Sequence, residues 1–113
     1  MIKFLSTLLV SIFMLLFFNS QVVLADDIDL NEGEAVFSAN CAACHANGKN
    51  LVIPEKTLEI EILSKNEIST VEAITKQVSG GKNAMPAFLD RLSETEINNV
   101  ANYVLSQAKG HNW

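Results

Sequence analysis

The sequence predicts an all-α domain built from short helices, and three observations carry that prediction. Asp or Ser stands three residues ahead of Glu at Asp29/Glu32, Ser69/Glu72 and Ser93/Glu96, the spacing at which a side chain caps a helix start. Apolar residues behind two of these caps recur at helical spacing: Val71, Ile74 and Val78, then Ile97, Val100, Ala101, Val104 and Leu105. Only one stretch alternates with a strand period, and a strand without a partner is unstable. With 113 residues and no repeat, linker or low-complexity run, the chain has room for one small domain.

The elements follow in chain order. Lys3 is the last charge before Asp26, and the run from Phe4 to Phe18 between them is almost wholly Leu, Phe, Ile, Val and Met. A basic start, an apolar run, a polar break at Asn19, Ser20 and Gln21, and Val23 and Ala25 at the −3 and −1 positions make residues 1–25 a signal peptide cleaved after Ala25. The competing reading is an uncleaved anchor, since the uncharged stretch is close to the roughly 20 residues that span a bilayer. Cleavage leaves 26–113 as the mature domain. The first helix of that domain is predicted over about 31–40, with Ala35, Val36 and Phe37 as its apolar side, and it delivers the chain to Cys41. Leu58, Ile60 and Ile62 alternate with Glu59 and Glu61, but Leu58, Ile62 and Leu63 also share a helical face, so a short helix is expected there. A helix from Ser69 ends at Gly80 and Gly81, and the last runs from Ser93 to Lys109 and Gly110.

Composition sharpens this division. The whole chain is 49% apolar, with a net charge of −5 and a mean hydropathy of +0.21. Removing residues 1–25 takes away Lys3 and the greasy run, leaving 88 residues that carry −6. That acidity argues against a nucleic-acid partner. Phe37, Phe88, Tyr103 and Trp113 are the aromatics that remain, a thin supply for a domain that already buries a limited fraction of its surface. Something besides side chains is expected to fill part of the core.

The chemistry is concentrated in Cys41, Ala42, Ala43, Cys44 and His45, a C-x-x-C-H run of the kind that attaches c-type haem. One helical turn puts both thiols on one side, where each can add to a vinyl group, and the adjacent His45 can turn its imidazole to the iron. A structural disulfide, a thioredoxin-like redox pair and a zinc site compete. Zinc lacks a second ligand pair, the redox pair lacks alternating strands and helices, and a disulfide leaves His45 unexplained. Export agrees with haem, which is attached on the far side of a membrane. For the sixth iron ligand the candidates are Met85 and His111, because Met1 and Met14 leave with the leader. Met85 sits in a mostly polar loop before Pro86, with little packing reason to be there, whereas His111 lies in a tail expected to fray. A His/Met pair raises the potential in electron carriers and leaves no open position for substrate.

These residues resemble a known family, the cytochromes c6 of photosynthetic electron transport. Gly33, Glu34, Val36 and Phe37, followed by Ser38, Ala39, Asn40 and the haem motif, look like the family's opening; Gly81 to Phe88 looks like its axial-methionine loop; Asn102 to Leu105 with Trp113 resemble its closing helix and tail. The resemblance covers nearly the whole mature chain. It implies a class I cytochrome c fold holding one covalent haem c, thioether bonds at Cys41 and Cys44, and iron ligation by His45 and Met85. It further implies a monomeric electron carrier, not an enzyme, passing single electrons from cytochrome f of the cytochrome b6f complex to photosystem I in the thylakoid lumen of a chloroplast or cyanobacterium. By the same resemblance Gln77 matches a glutamine that tunes the haem, and Arg91 a basic residue associated with docking. Asn47 stands where the family often has a glycine, and Leu89 and Asp90 where it often has small residues. The alternative functions are a haem domain of an oxidising enzyme and a periplasmic donor to a terminal oxidase.

Overall fold

The computed structural model describes residues 1–17 and 27–113. Six α-helices form among them: α1 (Ile2–Phe17), α2 (Leu30–Asn40), α3 (Ala42–His45), α4 (Ile60–Lys65), α5 (Val71–Gly80) and α6 (Glu94–Lys109), with a 3₁₀ turn, Ala46–Gly48, after α3. No strand forms among the described residues, where pairing is limited to one bridge between Lys82 and Met85. α1 takes up most of the apolar leader and exposes Phe4, Leu8, Leu9 and Ile12. The polar break and the expected cleavage position after Ala25 lie outside the described residues. No described helix is long and apolar enough to cross a membrane.

The domain is organised by α2 against α6. α6 starts as predicted, on a complete capping box: Ser93 Oγ accepts from the Glu96 amide, and the Ser93 amide donates to Glu96 Oε2. Its inward side buries Ile97, Val100, Ala101, Val104, Leu105 and Ala108. Val36 and Phe37 of α2 and Ile74 and Val78 of α5 join the same core with Phe88. Truncating a buried aliphatic such as Ile97, 1% exposed, to Ala costs about 2–5 kcal/mol. α2 approaches α6 so closely at Gly33 that an added Cβ would lie 2.3 Å from the Asn99 carbonyl oxygen and 2.8 Å from Tyr103 Cβ. No other residue fits there without separating the helices.

Two caps differ from expectation. Asp29 caps α2 by accepting from the Asn31 and Glu32 amides, but Glu32 does not reach back to it. Asn99, 1% exposed on α6, takes both partners: its Oδ1 accepts from the Asp29 amide at 3.0 Å and its Nδ2 donates to Glu32 Oε2 at 2.8 Å. A buried amide must find such partners, so a local cap has become a tie between α2 and α6. In α5 the cap is Thr70, whose Oγ1 accepts from the Ala73 amide, one residue beyond the predicted Ser69. The ambiguous stretch is helical, as expected, with Leu63 buried and Leu58 just ahead of α4.

Candidate functional site

The two halves of the site come from chain segments some forty residues apart. On one side α2 runs out at Asn40, and Cys41 serves both as its C-cap and as the N-cap of α3. The single turn of α3 carries Cys44 and His45. Cys41 is half-buried and Cys44 exposed, and both are free thiols. Burial pushes the Cys41 thiol up to about 11. A redox-active Cys-x-x-Cys depends on a lowered thiol pKa, so the shift runs against the thioredoxin-like reading. No group of three or more His, Cys, Asp or Glu side chains able to hold a metal occurs among the described residues.

The chain leaves His45 through Asn47 (φ 55°) and Gly48 (φ 71°), two successive left-handed residues. Asn tolerates that conformation better than most side chains, which accounts for Asn47 in a place that favours glycine. The turn brings the Lys49 carbonyl to 2.9 Å from His45 Nδ1. A carbonyl oxygen only accepts, so Nδ1 carries the proton and Nε2 keeps its lone pair for a metal.

The other half is the loop between α5 and α6. Lys82 and Met85 exchange both backbone hydrogen bonds at 3.0 Å, closing a tight turn through Asn83 (φ 53°). The Phe88 amide then bonds the Val78 carbonyl at 2.9 Å, tying the loop to α5. Met85 is thus presented by a braced hairpin. Its Sδ lies 3.9 Å from Gln77 Nε2, a weak donor contact that places the predicted glutamine beside the predicted ligand. His111 is exposed beyond α6 at φ 51°. The tail itself is not frayed, because Trp113 Nε1 donates to the Leu58 carbonyl at 2.9 Å.

The residues present fit a haem. Cys41, Ala42, Leu58, Ile60, Val71, Met85 and Leu92 pack against the core while remaining partly exposed, and Leu51 and Val52, 74% and 58% exposed, follow close behind the cysteine motif. A protein rarely leaves such an apolar surface without a use for it. On α5, Thr75 Oγ1 is buried with no hydrogen-bond partner among the described residues, a polar group left for something other than the polypeptide. Arg91, exposed, holds its guanidinium 5.6 Å from the centroid of the Phe88 ring. Sequence reasoning missed the Lys49 carbonyl and Asn99. The carbonyl is backbone and leaves no residue signal, while Asn99 has the pattern of any polar residue on a helix.

Comparison with known proteins agrees with this geometry. Residues 29–104 match the family described as cytochrome c oxidase, cbb3-type, subunit III. The chain is 54% identical over 92 residues to cytochrome c6 of Gracilaria tenuistipitata var. liui, covering 81% of this chain and 85% of that protein. It is 57% identical over 82 residues to cytochrome c6 of Petalonia fascia, covering 73% and 96%. The crystal structure of cytochrome c6 from the diatom Phaeodactylum tricornutum superposes with a TM-score of 0.72 at 55% identity, over 75% of this chain and 99% of that one.

Proposed function

The chain belongs to the cytochrome c6 family, whose members are electron-transfer proteins carrying one covalently bound haem c, and on that premise we propose that it carries single electrons from cytochrome f of the cytochrome b6f complex to photosystem I in the thylakoid lumen. The class I cytochrome c fold and the fit of Cys41 and Cys44 to the haem-attachment motif follow from the same membership. Residues 1–25 are the export signal in this reading, and 26–113 are the working domain.

The observation that carries the proposal is the 2.9 Å contact between His45 Nδ1 and the Lys49 carbonyl oxygen. With Nδ1 occupied by the Lys49 carbonyl, the imidazole presents Nε2 from a turn that also holds the two cysteines. Cys41 and Cys44 would form the thioether bonds, and His45 and Met85 would ligate the iron. Haem, when bound, supplies an iron that gains and loses one electron. The chain's own residues do the rest. Met85 is held out by its hairpin, Gln77 directs its amide toward the sulfur, and the partly exposed apolar residues around the cysteine motif would keep water from a bound haem. A carrier must also leave its partner, which favours a small docking face.

The test is spectroscopy of the haem-loaded protein beside Met85→Ala. The parent should show the sulfur-to-iron band when oxidised and should bind no carbon monoxide when reduced at neutral pH. The variant should lose the band and bind carbon monoxide. A band that persisted in the variant would overturn the assignment of Met85, and carbon monoxide binding by the parent would favour an enzyme with an open iron position. Donation to a terminal oxidase is a second reading, favoured by the match to the oxidase-subunit family. Comparing single-turnover oxidation by photosystem I particles and by oxidase decides between them.

A further inference from the structure

We propose that Trp113 is a positioning residue for His45, holding the imidazole in orientation through a relay of hydrogen bonds that starts beyond α6. The proposal rests on the reading of His45 as an iron ligand. The relay runs through three segments distant in sequence. Trp113 Nε1 donates to the Leu58 carbonyl at 2.9 Å; the Leu58 amide donates to the Gly48 carbonyl at 2.7 Å; and the next residue, Lys49, offers the carbonyl that accepts from His45 Nδ1 at 2.9 Å.

The turn that carries Gly48 and Lys49 needs such support. It consists of two left-handed residues in a row, and its own inward bonds are the Lys49 amide to the Ala46 carbonyl at 3.2 Å and the Leu51 amide to the Cys44 carbonyl at 3.0 Å. On its other side lies the indole. A Cβ added to Gly48 would meet the Trp113 ring at 2.3 Å, so the ring sits directly on the turn's backbone. The indole is itself wedged, 5.3 Å from the Phe37 ring and edge-on to Tyr103 at 6.3 Å. A rigid ring held by these contacts and by its own hydrogen bond therefore limits where the Lys49 carbonyl can go. The partner of the distal ring nitrogen sets both the orientation and the basicity of a ligating histidine, so mobility at Lys49 would reach the iron.

The experiment uses the haem-loaded protein with Trp113→Ala, Trp113→Phe and, as a control that removes core without touching the relay, Leu105→Ala. Hydrogen exchange of the His45 Nδ1 proton is followed by NMR against the Val100 amide in α6. Trp113→Ala should accelerate the His45 proton about tenfold more than the Val100 amide, the equivalent of one lost hydrogen bond. Trp113→Phe, which keeps a ring but no donor, should show a smaller selective increase, and Leu105→Ala should move both protons in proportion. A proportional change in the Trp113 variants would reduce Trp113 to a core residue and overturn the proposal. If Trp113→Ala fails to take up haem, the Trp113→Phe comparison decides on the same criterion. The parent protein separates the ligand reading from the relay: a His45 ring without iron-induced shifts would sink both together, whereas shifted resonances with no selective effect would sink the relay alone.

Discussion

Gly48 is the residue at which local conformation and the site meet. It adopts φ 71°, and its missing side chain leaves room for the Trp113 indole. Gly48→Ala would meet both the left-handed penalty and the ring, and it should lower stability by about 1–3 kcal/mol, read as a fall in the urea midpoint of the haem-loaded protein. A change below a few tenths would mean that the turn can move aside. Glu67 shows the converse case, a side chain placed where the backbone favours its absence. It follows α4 at φ 59°, with its amide bonded to the Ser64 carbonyl and the Ile68 amide to the Leu63 carbonyl. That pattern is a Schellman ending with Glu in the glycine position. Glu67→Gly should therefore raise stability by about 1 kcal/mol, a gain that the same urea titration would register. Residue type and spacing single out Cys41, Cys44, His45 and Met85 as candidates, because chemistry of this kind has few substitutes. They could not single out the Lys49 carbonyl, since a backbone atom gains its role only from the turn around it.

Among the elements, α6 was the most legible and the reason is physical. Its capping box is local, its apolar stripe is long, and both agree with its place in the core. Ser93→Ala should cost about 1 kcal/mol, and calorimetry that found no loss would show that tertiary packing alone fixes the helix start. The start of α2 was only half legible. Asp29 and Glu32 have the right spacing, but Asn99 from α6 competes for both, and such competition is invisible before the helices meet. Asn99→Leu should cost about 1–3 kcal/mol, because it removes both side-chain hydrogen bonds that tie α2 to α6. α5 shows the same limit on a smaller scale. Ser69 and Thr70 are both good caps, and the helix begins after Thr70, with Ile74 and Val78 buried behind it.

Taken whole, the domain is an acidic body that leaves several apolar side chains, Leu51, Val52 and Leu89 among them, exposed. Residues 26–113 carry −6, to which haem propionates would add, and charge of one sign steers encounters in a way that salt screens. If the proposed function holds, flash-induced reduction of photosystem I should therefore change in rate as ionic strength rises, and a rate constant flat across that range would remove electrostatics from the docking step. Arg91, stacked on Phe88 and exposed, is the basic group whose neutralisation by Arg91→Gln should alter that salt response most clearly. The few aromatics that the composition showed are spent in two places: Phe88 supports the methionine loop and this arginine, while Phe37, Tyr103 and Trp113 form one cluster beside the turn after His45. The separation of the two halves of the site also bears on biogenesis. Cys41 to His45 are consecutive and need only a nascent helical turn to present thiols and imidazole, so a ligase could act on a chain that has not yet folded. Met85 arrives only when α5 has docked on α6 and its hairpin has closed. In the proposed ligation, acquisition of the sulfur ligand would thus be a late event in maturation, one that would distinguish a finished molecule from one that is merely labelled.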